Sequence, residues 1–193
     1  MLAQMTRKFV RRFGPLVASM LVAMALGACG AHSEYAISQD GQVYTLVNLH
    51  APARGGRLSS VNYQGPVLVP VCTPVSFSRI TDRAALFTVQ TSGQAFQYVF
   101  HRRSLREPIE QHLARYFGTA CPDLTQLSPE DQAGVRDGRV YQGMTRQGVL
   151  LAIGYPPQHA TPSLDADSWR YWRARNGTFE VYFQNGVVAG IRE

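Results

Sequence analysis

Two Asn-Gly pairs near the C-terminus, Asn176-Gly177 and Asn185-Gly186, stand nine residues apart and constrain the fold more than any other feature of the chain. Adjacent Asn and Gly tolerate the positive φ that a tight two-residue turn requires, so each pair predicts a hairpin between its flanking apolar segments. Two successive hairpins make a three-stranded antiparallel sheet. Trp169, Tyr171, Phe179, Val181, Phe183, Val187 and Ile191 supply candidates for its inward face. Such a face needs a cover, and the residues before it predict a helix framed at both ends. Thr145 fits the N-cap, and Met144 just outside can staple onto Val149. Gly154 then offers a left-handed exit before Pro156 and Pro157 forbid continuation. A loop over 157–167 joins helix to sheet.

Further upstream the period changes twice. "LSPEDQAGVRDG" at 127–138 predicts a helix with Ser128 as N-cap, Pro129 in the first position and Glu130 and Asp131 at the positive end of the dipole, weakened by Gly134. Ile109, Leu113, Tyr116 and Phe117 recur at helical spacing between Pro108 and Gly118 and predict another short helix. Before these the pattern is β. "VYTLVNLH" from Val43 alternates as a strand should, and Leu86–Gln90 and Ala95–His101 flank a Thr-Ser-Gly turn. Pro66, Pro70 and Pro74 suit an edge strand or an extended segment better than a central strand.

The first 28 residues read differently. Arg7, Lys8, Arg11 and Arg12 form a basic head with no acid, followed by 16 apolar or small residues from Phe13 to Ala28. That is a secretory signal, too short for the ~20 residues of a transmembrane helix. Its removal leaves 165 residues with fifteen arginines, no lysine and thirteen acids, so a net charge of +6 falls to +2. The basic balance belongs largely to the signal, which weakens any case for a nucleic-acid partner. Cys72 and Cys121 remain beside Cys29. In an exported chain such a pair reads as a disulfide, with two buried thiols, or a Cys72 nucleophile using His101 as base, as alternatives. His32, His50, His101, His112 and His159 are scattered without metal-ligand spacing, so neither a metal nor another cofactor is expected.

Leu26, Gly27, Ala28 and Cys29 end the apolar run in the order Leu, small, small, Cys. The stretch resembles the lipobox of bacterial lipoproteins. The resemblance implies a diacylglyceryl thioether on Cys29, cleavage before it and acylation of the new amine by a chain such as palmitate. Two or three acyl chains hold a protein on a membrane where one holds marginally. Gly30, not Asp, follows the cysteine, which in Gram-negative lipoproteins permits export to the outer membrane.

In the last third, Gly143, Met144, Thr145, Val149, Leu150, Gly154 and Pro156, followed by an aromatic strand around Trp169 and Tyr171 and by "FEVYFQNGVVAGI", resemble the SmpA/OmlA outer-membrane lipoprotein family, the BamE type. Gly148 departs from the pattern, since the family commonly carries Gln or Glu there, and the reciprocal capping contact is lost. The resemblance covers about 50 residues of 193 and leaves 43–125 without a counterpart. It implies an α+β fold in which two short C-terminal helices pack on a three-stranded antiparallel sheet, preceded by a β-rich N-terminal region.

The resulting division is a signal at 1–28, a tether at 29–42, a β-rich region at 43–103, a helical segment at 104–140 and the family-like part at 141–193. The function expected is that of a non-enzymatic lipoprotein anchored in the outer membrane through its acyl chains. Its periplasmic domain binds envelope proteins, with the outer-membrane protein assembly machinery a candidate among them, and serves outer-membrane assembly or envelope integrity. The alternative is a module that binds peptidoglycan or lipid through a barrel-like sheet over 43–103.

Overall fold

The alternation that begins at Val43 does not produce the one long strand it predicts. In the computed structural model, which describes residues 42–193, β1 (Val43–Thr45) stops after three residues and β2 (Leu49–Ala51) joins a different sheet. Thr45 ends β1 because its hydroxyl donates to Pro70 O at 2.6 Å and accepts from Thr73 N–H at 2.9 Å. Asn48 leaves the β ladder for a buried site described below.

The remaining elements follow in order: β3 (Arg57–Ser59), β4 (Val67–Val69), β5 (Pro74–Ile80), β6 (Ala84–Val89), β7 (Ala95–Val99), α1 (Ile109–Tyr116), β8 (Phe117–Gly118), α2 (Pro129–Asp137), α3 (Arg146–Ile153), β9 (Ser168–Ala174), β10 (Gly177–Gln184) and β11 (Val187–Arg192). A six-stranded sheet has the order β3-β7-β6-β5-β1-β8, a three-stranded sheet the order β11-β10-β9, and β2 pairs with β4 alone. All pairings are antiparallel except β3 with β7. The Thr-Ser-Gly hairpin forms between β6 and β7. β5 is central rather than an edge. Pro74 is tolerated because it is the first residue of the strand, where a missing N–H costs the ladder least.

The expected fold class is overturned. Among the described residues the chain is sheet-rich, with eleven strands and three short helices; its largest unit is the six-stranded sheet, and every helix precedes a C-terminal end made of strands. The physical reason lies in the first half. Its β-branched and aromatic residues pair over long separations into one sheet and build a core of their own around Phe87, Phe96, Tyr98, Leu113, Tyr116 and Phe117. A second core collects Val135, Met144, Val149, Ile153, Trp169, Tyr171 and Val181, and it takes in Val71 from the first half.

Several local devices have the chemistry expected of them. Ser128 accepts from Asp131 N–H at 3.1 Å and Thr145 from Gly148 N–H at 3.0 Å, each at a helix N-terminus. Asn185 and Gly186 have φ of 54° and 81°, the pair of positive values that a twisted hairpin turn needs. Gly154 has φ 75° but ψ −171°, so it leaves α3 extended and not left-handed helical.

Candidate functional site

The last-turn carbonyls of a helix have no intrahelical partner and must find one elsewhere. In α3 the partners come from the first half of the chain. Leu151 O accepts from Asn48 N–H at 2.9 Å, and Ala152 O from Asn48 Nδ2 at 3.1 Å. Ile153 O accepts from Asn62 Nδ2, whose backbone adopts φ 55°. Gly154 O then accepts from the buried Tyr171 hydroxyl at 3.1 Å.

Asn48 is wholly buried and has a partner for both amide protons and for its oxygen. Its Nδ2 also donates to Val135 O near the end of α2 at 2.7 Å, and its Oδ1 accepts from Val71 N–H at 2.8 Å. One side chain therefore links both helix ends to the strand region. His50 lies beside it with Nδ1 3.3 Å from Gly65 O and Nε2 3.3 Å from Ala152 O. Burial lowers its pKa below the usual imidazole value, against the opposing pull of the two carbonyls.

His50 also lines a cleft of about 640 Å³. The β4 side contributes Gln64, Gly65, Pro66 and Leu68, the exit of α2 contributes Asp137 to Val140, and the three-stranded sheet contributes Arg173, Phe179 and Ile191. Gly138 closes α2 in the left-handed conformation, and a Cβ there would press on Leu68 and the His50 ring. Arg173 lies over the Phe179 ring at 5.3 Å and pairs with Glu193. Its lining mixes apolar side chains (Leu68, Ile153, Phe179) with charged ones (Asp137, Arg139, Arg173), and its size suits a small ligand or a few side chains of a peptide.

The edge of β11 borders the cleft. A strap through Gly143, Met144 and Thr145 covers it at Val187 and Val188, with Thr145 bridged to Val187, Gly143 N–H donating to Val188 O and Val188 N–H to Met144 O, at 2.9 and 2.8 Å. Beyond Val188, the main chain of β11 bonds to β10 alone among the described residues. Tyr141, Val187 and Ile191 are the exposed large hydrophobic residues there, and all three belong to this edge or its strap. Exposed apolar side chains gathered along an unpaired strand are what a chain segment adding to a sheet uses.

The residues read as a family motif meet where the helices cross. Met144 and Val149 are fully buried in the second core, and Met144 passes over α2 where Gly134 leaves no room for a Cβ. Pro156 follows the exit at Gly154 and is buried. Gly148 has a reason that sequence reading missed. Asp131 reaches from α2, its Oδ1 accepting from Thr145 N–H at 2.8 Å and its Oδ2 from the Thr145 hydroxyl at 2.9 Å. It makes the contact that a glutamate in the third helical position makes in a capping box, and any Cβ on Gly148 would overlap its carboxylate.

Cys72 and Cys121 form a disulfide with Cα atoms 5.1 Å apart. Cys72 thus has no thiol, and His101 lies past the far end of β7, so the nucleophile alternative is not assembled. Cys29 and His32 lie outside the described residues. No cluster of three metal-ligating side chains occurs among the described residues.

A buried hydrogen-bonded chain does occur that was barely visible in the residue order. Tyr98 OH donates to His112 Nε2 at 2.8 Å, and His112 Nδ1–H points at Glu107 at 3.3 Å, which Arg115 approaches at 2.9 Å. Burial lowers the His112 pKa despite the Glu107 carboxylate; burial raises that of Glu107, but its bond to His112 and the Arg115 charge prevail and lower it. His112 is 4% exposed, and none of Tyr98, His112 and Glu107 lines the cleft, so they bind α1 to the six-stranded sheet. Their only signal was a histidine on the apolar face of α1.

No protein-family model matches the chain, and neither a curated protein nor a solved structure matches it.

Proposed function

We propose that this protein is a bacterial lipoprotein of the outer membrane, anchored through acyl chains on Cys29, whose folded body binds envelope proteins in the periplasm without catalysing a reaction. The observation that carries this reading is the register of basic head, apolar run and Leu26-Gly27-Ala28-Cys29. Two structural features support it. The Cys72–Cys121 disulfide belongs to an oxidising compartment. The β11 edge with its cleft offers main-chain groups and exposed apolar side chains of the kind an extended partner segment needs. The SmpA/OmlA pattern over 143–156 adds outer-membrane assembly as the setting.

Fractionation of cells producing wild-type or Cys29→Ala protein tests the reading. The wild type is expected in membranes and released only by detergent, the variant as soluble protein or uncleaved precursor. A Cys29→Ala protein of mature size that still needs detergent would contradict the anchor.

A further inference from the structure

We infer that the end of the six-stranded sheet carrying Arg83, Arg102 and Arg103 is a membrane-facing surface that rests on anionic lipid headgroups. Two turns build it. In the β5–β6 turn the Thr81 hydroxyl accepts from Arg83 N–H at 3.3 Å and Ala84 N–H at 3.2 Å. After β7, Ser104 N–H and Leu105 N–H both donate to His101 O, at 2.8 and 3.1 Å. Phe100 N–H donates to Arg83 O at 2.9 Å and joins the two turns.

All three arginines are exposed. Arg102 pairs with Asp82, the single acid of the patch, while Arg83 and Arg103 have no carboxylate partner among the described residues. The patch therefore holds a net charge of +2, which is the whole net charge of the chain after residue 28. Every other arginine there is matched in number by an acid. Guanidinium groups suit phosphate oxygens, because their planar fork matches two oxygens at once and loses less freedom per hydrogen bond formed than an ammonium does.

The path of the chain decides between an acidic protein and a bilayer. β1 runs antiparallel to β5, with Val43 opposite Val75 and Tyr44 opposite Pro74, so its amino end points toward the β5–β6 turn. The described chain thus starts with its amino end directed toward the end of the sheet that bears the arginines. If Cys29 is the acylated residue, as the proposed function holds, thirteen steps of chain separate it from Gln42, with a reach of at most about 45 Å. Gln42 falls within that reach of the lipid, and the turn bearing Arg83 follows Ile80, five strand residues or about 17 Å beyond Val75, the partner of Val43. A cationic surface beside an acyl anchor is the second signal that holds a lipidated protein flat on a charged bilayer.

The test uses the full, processed chain reconstituted into vesicles, with a fluorophore on Ser104→Cys and an acceptor on the lipid headgroups. Energy transfer is expected to be at least about twofold higher in vesicles with one-third phosphatidylglycerol or phosphatidylserine than in neutral ones, each arginine near such a surface contributing about fivefold to binding. The two anionic lipids should act alike, and 0.5 M salt or Arg83→Glu with Arg103→Glu should abolish the difference. Equal transfer in neutral and anionic vesicles overturns the proposal. So does a decaglutamate peptide that binds the patch with no effect of vesicle charge, which assigns it to an acidic protein. Protein that fails to float with neutral vesicles but floats with anionic ones, dependent on Arg83 and Arg103, supports the patch and contradicts the Cys29 anchor.

Discussion

The strands up to Gly118 and the elements from Pro129 onward bury their apolar residues in two separate cores, by different means. The first core depends on pairings distant in sequence: β1 lies between β5 and β8, and β3 pairs with β7. The second is built from neighbours in sequence, two capped helices and a meander. Where the two meet, the join at the end of α3 is polar and directional, made of Asn48 and Asn62 donating to its carbonyls, with His50 Nε2 beside Ala152 O. An apolar contact tolerates sliding, whereas a buried amide facing fixed carbonyls holds one geometry and leaves costly unpaired groups if lost. The difference teaches that the C-terminal region, although locally well specified, depends on the N-terminal region for its helix ends.

The largest expected effect comes from the disulfide that ties the start of β5 to the segment after β8. Cys72→Ser with Cys121→Ser opens a loop of 49 residues and should lower stability by about 4 kcal/mol, read from urea midpoints with and without reductant. A loss under about 1 kcal/mol would show the two regions do not need that tie. Asn48→Ala should cost roughly 3 kcal/mol by stranding Val135 O and Val71 N–H. Both tryptophans lie in β9, so their fluorescence reports the second region alone. If the regions are coupled, amide exchange in β6 and β7 quickens in Asn48→Ala together with the loss of tryptophan signal; exchange unchanged there separates them.

A smaller effect sharpens the comparison at the α2–α3 contact. Gly148→Gln should destabilise by roughly 2 kcal/mol because the new side chain meets the Asp131 carboxylate. Adding Asp131→Ala should recover part of that loss, since the introduced glutamine can then cap Thr145 itself. Additive losses in the double variant would refute the substitution of one cap for the other. Smallest is the pH response. His50 and His112 have lowered pKa values, chiefly through burial, so the unfolded chain binds protons first as pH falls below about 6.5. Stability should be level above that pH and then decline, by at most about 1.4 kcal/mol per pH unit for each imidazole. His50→Gln should remove its share of the slope, and a profile flat from pH 7 to 5 would contradict it.

What sequence reading could reach follows the same division. Ser128, Thr145 and Asn185-Gly186 act through atoms a few residues away, so their roles were visible in the residue order. The break between β1 and β2 was not, because Asn48 is drawn out of the strand by carbonyls 87 and 104 residues further on. Pro74 misled because its place at the head of β5 depends on where the preceding turn ends. Gly148 looked like a lost contact for a related reason, since the group that supplies it, Asp131, arrives from another helix. The cleft and the β11 edge had no sequence signal beyond Val187 and Ile191, which read as core and are in part exposed.

Mass spectrometry of the mature amino-terminal peptide tests the functional account most directly. A peptide that begins at Cys29 and carries the mass of a diacylglyceryl thioether, with or without a further acyl chain on the amine, is the predicted result. A Cys29 peptide without acyl mass, or a chain that still bears residues 1–28, would contradict it.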